Sequence, residues 1–202
     1  KRIKNCYLRV EKGEVVIRCS PLFPQSEIEK LIRNHQEEIL EQIKGYVPKY
    51  NYQEDGYVYL FNQKYQIVLK DMNIKKCAIH DRQIYVYSKN IQATIEMFLK
   101  QELMNYLKER IDFYLSTSFH HVFPEIQIKK MKRRWGACFY QKNRVCFNLV
   151  LAHIDYALID YVIVHELCHF LEANHSKAFY HEIEKRMPDY KERERLLKDV
   201  GI

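Results

Sequence analysis

The sequence predicts an α+β protein. A β-rich N-terminal part covers residues 1–88, and an α+β part follows over residues 89–202, in which a helix lies against a small sheet. Two observations carry this. Clusters of β-branched and aromatic residues, punctuated by Gly13 and Asp55-Gly56, fill the first 90 positions. Beyond them the apolar spacing changes to three and four residues, from Ile91 and again from Asp155, with two strand-like runs in between. Of 202 residues 47% are hydrophobic and 29% charged, and only five are Gly and five Pro. Such a composition supplies a core and excludes disordered, collagen-like and low-complexity classes.

The elements follow in order. CYLRV (6–10), EVVIRC (14–19), YVYLF (57–61), YQIVL (65–69) and IYVYS (84–88) read as short strands. Between the second and third, Ser26 with Glu29 three residues on reads as a capping box. It opens one helix that carries Ile28, Leu31, Ile32, His35, Ile39 and Ile43 as far as Gly45 and covers a small sheet. A long helix is expected over 91–115, with Ile95, Phe98, Leu99, Leu103, Tyr106, Leu107 and Phe113 as its apolar stripe. EIQIKK (125–130) and RVCFNLVL (144–151) read as strands, and helical periodicity runs from Asp155 to the end of the chain.

The stretch with chemical content is HELCHFLEANH, from His165 to His175. On a helix at 100° per residue, the four-residue spacing sets His165 and His169 about 40° apart and one turn up, so both rings can reach one ion. Glu166 lies close enough to address a water on that ion without ligating it. Zinc suits such imidazole donors, and three protein ligands leave a position open for catalysis. His175 is the first candidate for the third ligand. It requires a helix ending near Glu172 and a sharp reversal at Ala173-Asn174, with Asn174 in the left-handed region. Glu182, Glu184 and His181 on the following helix are the alternatives. Ser176 is placed to cap that helix and Pro188 to close it. Leu158, Val162, His165, His169 and Glu172 form one stripe, which turns two imidazoles toward the core, a costly arrangement unless a partner satisfies them. Glu166 would then act as general base toward a zinc-bound water.

With 33 Lys+Arg against 26 Asp+Glu the chain carries +7. Lys129, Lys130, Lys132, Arg133 and Arg134 concentrate part of that charge just before Trp135, the single tryptophan. A solvated strand end is the plain reading, and a phosphate or nucleic-acid patch the sharper one. A non-catalytic nucleic-acid-binding module would use these cations with Trp135, Phe139 and Tyr140 as stacking groups. No run of 18 apolar residues is present to span a membrane. Six cysteines lack CxxC spacing and there is no signal-peptide h-region, so reduced thiols and a cytoplasmic location are expected, with Cys138–Cys146 the one disulfide considered. His120, His121 and His153 are expected to be satisfied loop or core histidines.

KRRWGAC (132–138 with its flanking Lys), RVCFNLVL and DYVIVHELCHFLEANHSKAFYHEIEKRMPDY together resemble the YgjP-like metallopeptidase domain family, with SprT-like proteases as more distant relatives. The family pattern of K-x-RWGSC, Asn-x-x-Leu, DYV-x-x-HELCH, NHS and MPDY falls on residues 132–138, 148–151, 160–169, 174–176 and 187–190. Ala137 stands where the family usually has Ser. The match is strong over 129–198, with weaker agreement in VEKGEVVIRCSP and GYVYLFNQKYQIVL. A metzincin spaces its third histidine alike but has Gly where Glu172 stands. The resemblance implies a zincin-like fold, His165, His169 and His175 as zinc ligands, Glu166 as catalytic acid/base, and strand 144–151 beside the active-site helix. It leaves the substrate as peptide or nucleotide, since a UTP pyrophosphatase activity is also attributed to the family. For a peptide, the edge of 145–150 would bind by β-augmentation; for a nucleotide, Arg134 with Lys132 or Arg133 would be the catalytic cation set.

Overall fold

A computed structural model describes residues 6–11, 13–45, 48–72 and 74–200. The chain divides into two compact units, Lys1–Pro48 and Lys49–Ile202. The change of composition expected after Ser88 falls inside the second unit.

In the first unit, β1 (Tyr7–Glu11) and β2 (Glu14–Arg18) form an antiparallel hairpin. Its turn uses Gly13 at φ 77, a region glycine enters without steric cost. The single helix expected to Gly45 is two, α1 (Gln25–Asn34) and α2 (Gln36–Gly45), separated at His35, whose φ −112 and ψ 18 leave the helical region. The capping box is also absent. Pro24, with its fixed φ, precedes the helix, and its carbonyl accepts from the amides of Glu27 and Ile28. Ser26 is therefore inside α1, and Glu29 accepts from the Gln25 side chain instead (3.1 Å).

The second unit holds two sheets. The first has five strands in the order β3-β4-β5-β7-β6: β3 (Tyr50–Asn51), β4 (Tyr57–Leu60), β5 (Gln63–Leu69), β6 (Lys76–His80) and β7 (Gln83–Tyr87). Only β5 and β7 run parallel. The second has three, in the order β8-β10-β9: β8 (Glu125–Lys129), β9 (Gly136–Phe139) and β10 (Arg144–Asn148). β10 is central, parallel to β8 and antiparallel to β9.

Helix α3 (Ile91–Tyr114) joins the sheets into one core, because it packs on β6 and β7 and also on β8 and on α4 (Tyr156–Cys168). Ile95, Leu99, Leu103, Leu107 and Ile111, one turn apart, are fully buried. Phe113, expected in that stripe, is instead exposed, since a drift of one face over the length of α3 brings Ile111 and Tyr114 inward. Asn90 caps α3 by accepting from the Ala93 amide. α5 (Lys177–Arg186) and α6 (Tyr190–Val200) complete the unit and pack on α4. The last two residues of the expected helical run, 201 and 202, lie outside the described residues. Among the described residues no helix is long and apolar enough to cross a membrane.

Candidate metal centre

Helix α4 starts at Asp155, whose side chain accepts from the Ala157 amide (2.8 Å), and it ends at Cys168 rather than near Glu172. His165 occupies its last turn and His169 its C-cap, still in right-handed geometry. A hydrogen-bonded turn then carries the chain onward, with Leu171 and Glu172 amides both donating to the Cys168 carbonyl. Asn174 is not in the left-handed region, so the expected device for the reversal is not the one used. Ser176 does cap α5, accepting from the Phe179 amide (3.3 Å).

This path brings His165, His169 and His175 together, one ligating atom of each lying within 4.8 Å of the others. The Nε2 atoms of His165 and His175 face each other at 3.1 Å. Nitrogens at the corners of a tetrahedral zinc site stand about 3.4 Å apart, given Zn–N bonds of about 2.05 Å. The observed separations bracket that figure. His169 Nδ1 lies 3.2 Å from the Glu172 carbonyl, which fixes Nδ1 as the protonated nitrogen and turns the Nε2 lone pair to the cluster. Burial pushes His165 down to about 3, and the other two imidazoles push in the same direction. Burial likewise lowers His169. Neutral rings with available lone pairs are what a cation requires. The buried Nδ1 of His165 has no hydrogen-bond partner. The donor set thus fits a divalent transition metal such as zinc.

Phe179 of α5 forms the floor. It is fully buried, and its ring centroid is 5.0, 4.6 and 4.7 Å from those of His165, His169 and His175. The alternative third ligands are not part of the group: Glu182 is engaged by Lys185 and Arg186 at 2.7 and 2.6 Å, and His181 and Glu184 are exposed. Both histidines of α4 are half-buried rather than core-facing, because they line a cleft.

The cleft encloses ≈ 580 Å³ between α4, β9 and α6. Glu166 enters it from α4 and is 5% exposed. Burial pushes its carboxyl up to about 8, with the Cys138 amide and the Arg134 guanidinium pulling the other way. Arg134 and Trp135 line the mouth, Tyr161 and Val162 the α4 wall, and Glu194, Leu197 and Lys198 the α6 wall.

The basic run is divided in its roles. Lys130 pairs with Glu96 (2.7 Å), Arg134 faces the cleft, and Lys129, Lys132 and Arg133 are exposed. Asn148, fully buried, holds the run in place. Its amide donates to the carbonyls of Met131 (2.8 Å) and Arg134 (2.9 Å) and its oxygen accepts from the Met131 and Val150 amides. The expected strand 144–151 therefore stops at Asn148, and residues Leu149–His153 form a tight helical turn. Its edges are not open, since β8 and β9 occupy both. The edge toward the cleft belongs to β9, a strand the basic run conceals. The Trp135 carbonyl accepts from the Asn148 amide (2.8 Å), so by alternation Gly136 and Cys138 turn their backbone groups away from β10.

All six cysteines are free. Cys138 pairs with Val145 and Cys146 with Ala137, which places the two thiols on opposite faces of the sheet and rules out the bond considered between them. Cys168, within the histidine motif, is fully buried and burial pushes it up to about 12, so it packs rather than ligates. His153 is buried with Nδ1 2.7 Å from the Tyr59 carbonyl, and His121 Nδ1 lies 2.8 Å from the Val122 carbonyl, both satisfied as expected.

The sequence profile of the YgjP-like metallopeptidase domain matches residues 4–200. The chain belongs to this family. No curated protein matches it. Among solved structures it is similar to the metallopeptidase zymogen of Pyrococcus abyssi abylysin, with TM-score 0.43 and 17% identity over 46% of this chain and 94% of that one. It is also similar to the metallopeptidase zymogen of Methanocaldococcus jannaschii jannalysin, with TM-score 0.41 and 24% identity over 46% and 96%. Membership of the YgjP-like family makes the histidine cluster the natural place to look for its metal.

Proposed function

We propose that the chain is a zinc-dependent peptidase of zincin-like design, in which His165, His169 and His175 hold the cation and Glu166 is the general base. One observation carries the reading: the imidazoles of His165, His169 and His175 converge at the end of α4 while a buried carboxyl group from the same helix shares their cleft. A cation bound there would acidify a water and polarise the carbonyl under attack. Glu166 would be the residue that accepts a proton from the attacking water and returns it to the leaving amine. A carboxyl that burial holds near neutral pH is suited to both transfers. An extended peptide would lie along the outward edge of β9, where the backbone groups of Gly136 and the Cys138 carbonyl turn away from β10 and the Cys138 amide already serves Glu166. Trp135, Tyr161 and Leu197 would accept apolar side chains.

A nucleotide is the second reading, and Arg134 on the cleft wall favours it. Against it, Glu166 and Glu194 are the only acids among the residues lining the cleft, and Lys198 already pairs with Glu194 (3.1 Å). No second carboxylate is left to share a magnesium ion with Glu166.

Zinc-loaded protein and its Glu166→Gln variant, incubated with unfolded casein and separately with UTP, test both. Peptide fragments from the parent, reduced by 10²-fold or more in a variant that binds zinc as well as the parent, are expected. Pyrophosphate release without fragments would replace the peptidase reading by the second.

A further inference from the structure

Gly136 is not explained by its backbone. Among the described glycines the positive φ belongs to Gly13, whereas Gly136 is an ordinary strand residue paired with Phe147. Any L-residue adopts that conformation, and glycine inside a strand is disfavoured because it has more freedom to lose and nothing to pack. Its reason has to be space. A Cβ at this position would stand 2.5 Å from Glu166 Oε1, 2.7 Å from Cγ and 2.8 Å from Cδ. Carbon contacts are repulsive well before such separations. The carboxylate therefore occupies the volume a side chain would fill, with α4 packed on β9.

We infer that Gly136 is the positioning residue of Glu166: by lacking a Cβ it gives the carboxylate a seat against β9, beside the histidines. Any larger residue forces Glu166 out of that seat or lifts β9 from α4. The effect on turnover rests on the reading of Glu166 as general base, but the steric coupling between the two residues does not. Ala137, the next residue of β9, cannot substitute for it, because its side chain lies on the other face of the strand.

The test is a double-mutant cycle of Gly136→Ala and Glu166→Ala, read by thermal melting, zinc titration and casein hydrolysis. Gly136→Ala alone should lower kcat at least tenfold with KM and zinc affinity within twofold of the parent, and lower Tm by about 3 °C or more. In the Glu166→Ala background the same replacement should cost no Tm, because the clashing atoms are gone. An equal Tm loss in both backgrounds would overturn the inference, as would an unchanged kcat in Gly136→Ala when Glu166→Gln is inactive. If Gly136→Ala does not fold, a folded double variant upholds the coupling and an unfolded one refutes it. An active Glu166→Gln variant would remove the general-base reading while leaving the thermal coupling to judge Gly136.

Discussion

Asp160 and His165 sit on the same helix, yet the protein completes them in opposite ways. Asp160 is buried, and every lone pair it turns inward has a partner. Oδ1 accepts from the Tyr106 hydroxyl (2.8 Å) and Arg110 Nε (3.0 Å), and Oδ2 accepts from Arg110 Nη2 (2.7 Å) and the Tyr114 hydroxyl (3.1 Å). The four donor groups belong to three residues of α3, so the carboxylate clamps α3 to α4. At His165, Nε2 faces another imidazole nitrogen at 3.1 Å, and Nδ1 has no hydrogen-bond partner. Polar groups closed by their own protein hold a fold together, whereas groups that converge and are left open await something from outside.

The largest effect should come from breaking the open constellation. His165→Ala is expected to abolish zinc binding and cut casein hydrolysis by at least about 10³-fold, the scale of losing a metal's electrostatic contribution. The metal-free fold should survive, as the ring contributes no hydrogen bond to a protein partner outside the cluster. Zinc at 100 times its Kd should stabilise the parent by about 2.7 kcal/mol and this variant by nothing, measured by denaturant melts with and without metal. A variant that still gains stability from zinc would move the site elsewhere.

Asp160→Ala should reverse that pattern. It strands the Arg110 guanidinium, whose pKa the carboxylate raises, together with two tyrosine hydroxyls between α3 and α4. Removing one partner of a largely buried ion pair costs about 3 kcal/mol. Denaturant melts should report that loss, while zinc affinity of the folded fraction stays within a fewfold of the parent. Equal damage to metal affinity would mean that the two constellations are one unit.

The histidine cluster was legible because it is local. Two of its rings share a helix, the third follows through a short turn, and helical spacing alone converts those letters into a common direction. The cleft around it was not, because its other walls arrive from far along the chain. β9 hides behind five cations that read as solvated surface, although a glycine in the middle of RWGAC, where a strand continues, is the kind of signal that marks a close approach. Phe179 looks like any core residue of α5, and Leu197 like any apolar position of α6. Asn148 gave no sign of its four hydrogen bonds, since the strand it ends was expected to run on to Leu151. Local rules also misfired where a neighbour competes: Pro24 took over the helix start expected at Ser26, and Asn174 turned the chain without entering the left-handed region.

His153 extends the comparison to a histidine of the closed kind, with the smallest expected effect. Its ring is buried where the turn after β10 meets β4, donates to the Tyr59 carbonyl and lies 5.2 Å from the Tyr50 ring. Burial holds its pKa below the ordinary value, Lys49 pushes the same way, and the Tyr59 carbonyl and Glu96 oppose them. Above about pH 6.5 the ring is neutral in folded and unfolded chains alike and contributes no pH dependence. As pH falls through that value the unfolded chain takes up a proton that the folded chain refuses, so stability declines toward acid. His153→Gln keeps a donor for Tyr59 but cannot titrate. Its stability, followed by urea melts at pH 7, 6 and 5, should fall less steeply than the parent's by about 1 kcal/mol per pH unit at most. The three clustered histidines, His165, His169 and His175, are present in both proteins and cancel in the difference. Parallel profiles would show that the folded protein admits a proton at His153 as readily as water does.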